Sequence, residues 1–521
     1  MKNIVNIINF IRAVEPRPRE VDLHKPVIEQ IRLMRKHELT GTFLLQYDAL
    51  IDDSYLKLMN TCKDFCEVGL WLEIVQPLVE KIGEKWCGRF PWDWYNDVGF
   101  LIGYEPNVRL RLIDEAMKCF KETFGKYPES VGSWHIDAVS MKYLSEKYNV
   151  RALCICRDQV GTDGYTMQGG YYNQAYYPSK NNMFCPASRK ENQIDTPVFR
   201  MLGSDPIYSY DYQKVDYGIV KCCTMEPAMN GGLPEFVDWF FDEIFDGSGL
   251  SFQYTQAGQE NSFGWHRMGE GIEYQFPLIK KLADEGRFEV MTLGDSGKWY
   301  KENFETTPPA VVKGITDWKF GKYKSIWYNS SKYRANLFWE SGIVRIRDMY
   351  VFDDKYKEHY LEKRCDNTAC EFRNLPVMDG AIYHTEEKPA GIYFTDGEKD
   401  IVFDNMTYSE KDGKAVVVLT NEECHAVMTF NESGFEIKCN NKKLVLYPVY
   451  DRSNVFGTES LDFGNRNNEK TVLTSISKAE CENNTASFTF DGFDYAVRIT
   501  NGTLNKDFSV VSDNGNISVE I

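Results

Sequence analysis

Two acidic residues stand where chemistry is expected. Asp137 closes the segment Ser133-Trp134-His135-Ile136-Asp137, after the apolar run Glu129-Ser130-Val131-Gly132 and before a helix-like run, Ala138 to Tyr148. Glu260 lies in Gln256-Ala257-Gly258-Gln259-Glu260-Asn261-Ser262-Phe263-Gly264-Trp265-His266, again between a strand-like and a helix-like run. In α/β barrels the carboxyl end of a strand is where catalytic groups collect. Two carboxylates at such ends, among many aromatic side chains, suggest glycosidic-bond chemistry: one protonates the leaving oxygen and the other attacks or activates water. Each has a plainer alternative. Asp137 is a favoured helix N-cap, and Glu260 would serve equally in a hydrogen-bond network that ties its loop down.

Weaker candidates surround them. Glu73, in Leu72-Glu73-Ile74, is a glutamate inside an apolar run and needs a partner. Asp205, in Gly203-Ser204-Asp205-Pro206, is a hydroxyl ligand or a turn residue. Arg12, Glu15 and Arg17 follow the first apolar run, and Asp158 and Asp163 begin a long aromatic loop. Trp71, Trp92, Trp94, Trp134, Tyr171 and Trp265 offer faces for sugar rings, and His135, Gln259 and His266 offer hydrogen bonds. With seven histidines and no HxH, HExxH or HxxxH pair, a metal centre is poorly supported. His135 and Asp137 supply two ligands at most, so no cofactor is expected and a divalent metal is not favoured. P-loop, dinucleotide and GxSxG fingerprints are absent.

The first part of the chain alternates strand-like and helix-like segments. Strand signals fall at Ile4–Ile11, Thr42–Gln46, Glu67–Val75, Val131–Ile136, Ala152–Cys156, Phe199–Leu202, Leu250–Tyr254 and Phe288–Leu293. Helical spacing marks Val21–Lys36, Tyr55–Phe65, Val108–Phe124, Pro234–Phe245 and Ile272–Glu285. Such alternation predicts a parallel sheet covered by helices, open or closed into a barrel. Trp86–Val98 and Arg157–Thr196 break the alternation and are rich in Trp, Tyr and Gly, as substrate-binding loops are. After Thr306-Thr307-Pro308-Pro309 the pattern changes to short alternating runs among Asn, Gly and Asp turns, which predicts an antiparallel sandwich. The expected division is a barrel over 1–309, a linking segment over 310–375 and a sandwich over 376–521.

Composition narrows the function. At 521 residues the chain is long enough for two or three domains. A formal net charge of −17 opposes a nucleic-acid partner. No run reaches the roughly 20 apolar residues of a spanning helix, so no membrane role is expected. The apolar N-terminus lacks a small-residue cleavage site and reads as a first strand. Fourteen cysteines in no disulfide or zinc spacing fit reduced thiols in a cytoplasmic protein, with Cys365 and Cys370 the one pair considered for an oxidising compartment. An oligosaccharide is the expected partner, and homo-oligomerisation stays open.

The segment Trp134-His135-Ile136-Asp137 resembles the W-x-I-D segment around the nucleophilic aspartate of glycoside hydrolase family 38, the α-mannosidases. Gln259 to Trp265 resembles, more loosely, the D-x-E-L-F-G-H-W segment of glycoside hydrolase family 57. There an aspartate at the head is the general acid/base, and Glu260 lies within one position of it. Phe263-Gly264 matches the F-G pair, and Val290 to Asp295 is similar to that family's last barrel strand. The resemblance spans roughly residues 1–305. It implies a divergent member of the superfamily that these families share with polysaccharide deacetylases: an α/β protein built on a distorted (β/α)7-type barrel. It further implies a retaining glycoside hydrolase with Asp137 as nucleophile and Glu260 as acid/base. A metal-dependent carbohydrate deacetylase or a non-catalytic carbohydrate-binding protein are the alternatives. The departures concern metal: strand one reads Asn9-Phe10-Ile11-Arg12, without the family histidine, and the deacetylase aspartate pair and two histidines have no counterparts.

Overall fold

A computed structural model describes residues 2–17, 20–210, 214–215, 218–219, 223–247, 249–383, 385, 388–456, 460–461 and 471–521. Ala175–Tyr176 lies antiparallel at one edge of the nine-stranded first sheet, which is built on seven parallel strands. They are β1 (Lys2–Ile11), β2 (Thr42–Leu45), β3 (Glu67–Trp71), β4 (Ser130–Gly132), β5 (Ala152–Ile155), Val198–Arg200 and Phe252–Ala257. Phe252–Ala257 pairs with β1, which pairs onward with β2, and the order then follows the sequence to Val198–Arg200. A short strand, Glu289–Met291, also lies along the N-terminal half of β1. No ladder joins Val198–Arg200 to Phe252–Ala257 among the described residues. Side chains bridge that seam instead: the Leu202 amide donates to Gln256 Oε1 at 2.5 Å, and Phe199 packs edge-on against Tyr254. The sheet is thus a distorted, nearly closed barrel, as expected from the alternation.

The strands are buried on both faces, so they read as continuous apolar runs rather than alternating ones. Local chemistry sets the helix ends. Helix Pro106–Phe124 stops at Gly125, which takes the left-handed conformation (φ 77°). Asp137 and Thr292 cap helices Ala138–Tyr148 and Leu293–Asn303 through their side chains. Gly258 (φ 100°) is required at the end of strand Phe252–Ala257, because a Cβ there would lie 2.2 Å from the Ile8 carbonyl oxygen. That turn carries Gln259 and Glu260 over the end of β1.

The remainder is antiparallel. One nine-stranded sheet runs Ala310–Gly314, Tyr323–Asn329, Tyr333–Glu340, Ile343–Val351, Gly391–Thr395, Val445–Val449, Val510–Val511 and Thr503–Leu504, with Leu375–Asp379 also on Ile343–Val351. An eight-stranded sheet faces it, from Asn405–Lys411 through His425–Asn431, Gly434–Cys439 and Asn516–Glu520 to Ile476–Glu482. A separate apolar core lies between them. Four strands of the nine-stranded antiparallel sheet come from the 310–375 stretch. The two parts are tied by buried charge: Arg334 reaches Asp158 and Asp348, and Asp158 also holds Arg200 at 2.7 Å. Tyr172 stacks flat on Trp327 at 3.8 Å. Cys370–Arg373 continues the hairpin Gln159–Thr162/Tyr165–Gln168 as a parallel third strand. Among the described residues no helix is long and apolar enough to cross a membrane.

Candidate functional site

A cavity of about 320 Å³ opens at the carboxyl ends of the barrel strands. Its charged lining is Arg12 and Glu15 after β1, Arg17, Asp163, Glu226, Glu260 and Arg267. Trp134, Tyr165 and Phe263 form aromatic walls.

Arg12 organises the floor. Its guanidinium forms a two-pronged bond to Glu73, Nε to Oε2 and Nη2 to Oε1, both at 2.8 Å. Nη1 lies 3.0 Å from Glu260 Oε2 and donates to Ser262 Oγ at 3.2 Å. Glu73 is fully buried and also accepts from Trp71 Nε1 (2.8 Å) and Gln46 Nε2 (3.0 Å). The Trp92 ring lies under Arg12 at 4.2 Å and Arg17 at 4.8 Å. Burial opposes the charge on Arg12, but Glu260, Glu73 and Glu15 outweigh it and fix the guanidinium as a permanent cation. Burial likewise works against the Glu15 carboxylate, yet Arg17 and Arg12 hold it below the ordinary range.

Two carboxyls face the cavity with a different balance. Glu226 is 5 % exposed and accepts from Thr224 Oγ1 (3.1 Å) and Gln259 Nε2 (3.0 Å). Burial, and then the negative charge of Glu260, push it up to about 7. Glu260 is also raised by burial, with Arg12 and the Ser262 hydroxyl (2.7 Å) opposing. A fixed cation therefore favours charge on Glu260, and that charge keeps a proton on Glu226 near neutral pH. The pair offers a proton donor and an anion in one cavity.

Of the residues singled out from sequence, Arg12, Glu15, Arg17, Trp134, Asp163 and Glu260 line the cavity. Gln259 lies behind, orienting Glu226 and accepting from the Ala228 amide. Trp71, Glu73 and Trp92 form the layer beneath Arg12, and half-buried Trp94 stacks 5.1 Å from Arg17.

The other expected site residues lie outside the cavity lining. Asp137 is fully buried and does not reach the cavity. It accepts from the Ser140 amide (3.1 Å) and hydroxyl (2.7 Å) and pairs with buried Arg109 at 3.0 Å. Capping and a buried ion pair are the roles these bonds give it, in place of the cavity position expected from sequence. His135 is stacked on Phe100 (4.3 Å), with Nε2 against Asn96 Oδ1 at 3.0 Å. Burial pulls it down to about 3, leaving a neutral imidazole away from the cavity. Asp158 is the clasp between barrel and sandwich, held below the ordinary range against burial by Arg334 and Arg200. Asp205, which burial raises to about 6, ties down the Ile207 and Tyr208 amides and Trp318 Nε1. Tyr171 is buried, its hydroxyl donating to the Pro308 carbonyl. Trp265 and His266 begin helix Trp265–Asp284, His266 exposed and outside the cavity lining. Within Arg157–Thr196, the tyrosines 171, 172, 176 and 177 are packing, whereas Gln159, Thr162, Asp163 and Tyr165 face the cavity.

Glu226 is the residue that sequence reasoning misses. It lies in Thr224-Met225-Glu226-Pro227, between no clear strand and helix, and its only local signal is a glutamate before a proline. Cys222 and most of the preceding segment fall outside the described residues.

Among the described residues no group of three or more His, Cys, Asp or Glu side chains is placed to hold a metal ion. At the floor of the cavity the carboxylates of Glu15, Glu73 and Glu260 converge on the Arg12 guanidinium.

No protein-family model matches the chain, and no curated protein matches its sequence. Solved structures do. A protein of Parabacteroides distasonis described as a glycoside hydrolase/deacetylase matches with a TM-score of 0.55 at 16 % identity, over 74 % of this chain and 94 % of that one. A Mycobacterium smegmatis protein described as a polysaccharide deacetylase aligns at 0.37 and 11 % identity, covering 58 % and 91 %. A GH57-type branching enzyme of Pyrococcus horikoshii aligns at 0.33 and 10 %, covering 56 % and 69 %. At these identities the first likeness shows a shared fold alone, over the 74 % of this chain that it covers.

Proposed function

We propose that this protein is a carbohydrate-active hydrolase that cleaves glycosidic bonds, with Glu226 as general acid and Glu260 as its anionic partner. The observation that carries the proposal is the pair itself: two buried glutamates on one cavity, one held by Arg12 and the other pushed up to about 7. A carboxyl still protonated at neutral pH beside an ionised one is the arrangement glycoside hydrolysis requires. The fold shared with the Parabacteroides glycoside hydrolase/deacetylase supports the reaction class.

A sugar ring lies against Trp134, with its scissile oxygen toward Glu226. Glu226 gives its proton to that oxygen as the C1–O bond breaks. Glu260 either bonds to C1, displaced later by water that Glu226 deprotonates, or takes a proton from a water attacking C1. Arg12, anchored on Glu73, favours the ionised form of Glu260 before it reacts and places its carboxylate. Compared with the sequence expectation, Glu260 becomes the anion rather than the acid, and Glu226 replaces Asp137 in the pair.

A panel of aryl glycosides and small oligosaccharides tests this, followed by NMR of the first-formed anomer. Release of one anomer by the wild type, abolished in Glu226→Gln and Glu260→Gln, is expected. Deacetylation without glycoside cleavage, or cleavage unaffected by both changes, overturns it.

A further inference from the structure

Cys424 directly precedes strand His425–Asn431, and Cys439 ends the neighbouring antiparallel strand Gly434–Cys439. The ladder sets Ala426 opposite Cys439. The two sulfur atoms are 3.2 Å apart, and both side chains are buried. In a disulfide the separation is about 2.05 Å, so the thiols are already aimed at each other. The Asn441 amide lies 3.4 Å from Cys439 Sγ. With the Cys424 thiol donating as well, Cys439 is drawn down to about 7, a value at which a thiolate is present at neutral pH.

The other cysteines differ. Cys365 Sγ is turned toward the Asn367 and Ala369 carbonyls, while Cys370 Sγ faces Asn96 and His135. This removes the pairing that sequence spacing alone suggested. Cys66 lies beside Cys62, and its own thiol is pushed up by that neighbour and by burial. Cys87 is exposed, its sulfur directed at the Lys85 carbonyl.

We propose that Cys424 and Cys439 are a disulfide-forming site that staples the two strands of the sandwich when the protein meets a peroxide. The Cys439 thiolate attacks hydrogen peroxide and becomes a sulfenic acid, with hydroxide leaving. Cys424 sulfur then attacks that sulfur, the S–O bond breaks, and the proton from Cys424 leaves with the oxygen as water. Two thiols lose two electrons and two protons in total, and one peroxide yields two waters. The sheet needs no rearrangement, because the strands are paired in the reduced form.

The test uses the full-length protein with equimolar hydrogen peroxide, thiol blocking by N-ethylmaleimide, and peptide mapping by mass spectrometry. The expected product is a peptide pair joined through Cys424 and Cys439, 2 Da lighter than its thiol form and restored by dithiothreitol. A thermal melt that rises on oxidation in the wild type, and not in Cys439→Ser, is expected alongside it. If both residues carry N-ethylmaleimide after peroxide while Cys87 is oxidised, the proposal fails. It also fails if the only bond found joins other cysteines. Mapping of the wild type decides the matter even if a variant does not fold.

Discussion

Glu226→Gln removes one titrating group and little else. Glutamine keeps the shape, can accept from Gln259 through its oxygen, and can donate to Thr224 through its amide. In the folded protein the Glu226 carboxyl is raised from its ordinary 4.5 to about 7. At about 1.4 kcal/mol per pH unit, that corresponds to roughly 3 kcal/mol favouring the protonated form. The folded value is the higher one, so the native state binds the proton more tightly than the unfolded chain. Its contribution to stability is therefore complete below pH 4.5 and lost as pH rises through about 7. Wild type and variant should then unfold with nearly equal free energies at pH 4.5. By pH 9 the variant should be the more stable by about 3 kcal/mol. Part of that gain comes from Glu260, which loses a negative neighbour. Urea unfolding of both proteins at several pH values reads the difference directly. Other buried carboxyls titrate in the same range, but they are common to both proteins and cancel. A difference between the two that does not change from pH 4.5 to 9 would refute the account of Glu226 as a buried, charge-coupled acid.

Further outcomes follow from the same geometry. The kcat/KM profile should fall above about pH 7, where Glu226 loses its proton, and a flat profile to pH 9 would contradict this. Asp137→Asn retains the helix cap but leaves Arg109 buried without its carboxylate, so stability should fall by about 3–5 kcal/mol while kcat of the folded enzyme is unchanged; a large loss of kcat with normal melting would restore Asp137 to the chemistry. Arg12→Met strands Glu73 and Glu260 and should cost about 3–5 kcal/mol, and the acidic limb of the pH–rate profile should move to higher pH; an unmoved limb would separate Arg12 from Glu260. Prolonged dialysis against a chelator should leave turnover intact, and a loss reversed by added divalent ion would show that the donor set has been misjudged.

Much of the fold is legible in the chain because burial on both faces leaves compact apolar runs. Ile4–Ile11, Thr42–Gln46 and Ala152–Cys156 mark strands now placed at Lys2–Ile11, Thr42–Leu45 and Ala152–Ile155. Helix Pro234–Phe245 begins and ends where its spacing predicts. Glu67–Val75 is longer in expectation than in fact, since the ladder stops at Trp71 and Glu73 turns inward to Arg12. The site is less legible. An aspartate between strand and helix caps or catalyses with the same local sequence, and only Arg109, 28 residues earlier, decides for capping. Glu260 stands out because its neighbours are dense in polar groups. Glu226 does not, because its environment is assembled from Gln259 and Thr224 and from burial, none of which local sequence records. The aromatic segment Arg157–Thr196 misleads for a related reason. Tyr172 packs on Trp327 of the sandwich and Tyr176 and Tyr177 pack among barrel residues, and a run of aromatic residues looks alike in a ligand cleft and in a packed core.

The central claim is that Glu226 donates the proton and Glu260 carries the charge. Hydrolysis rates for aryl glycosides of graded leaving-group pKa, measured for wild type, Glu226→Gln and Glu260→Gln, test it most directly. Glu226→Gln should lose activity steeply on poor leaving groups and keep it on dinitrophenyl glycosides, which need no proton. Glu260→Gln should be inactive on the whole series. If Glu226→Gln loses activity equally for good and poor leaving groups, or Glu260→Gln retains it, the assignment is contradicted.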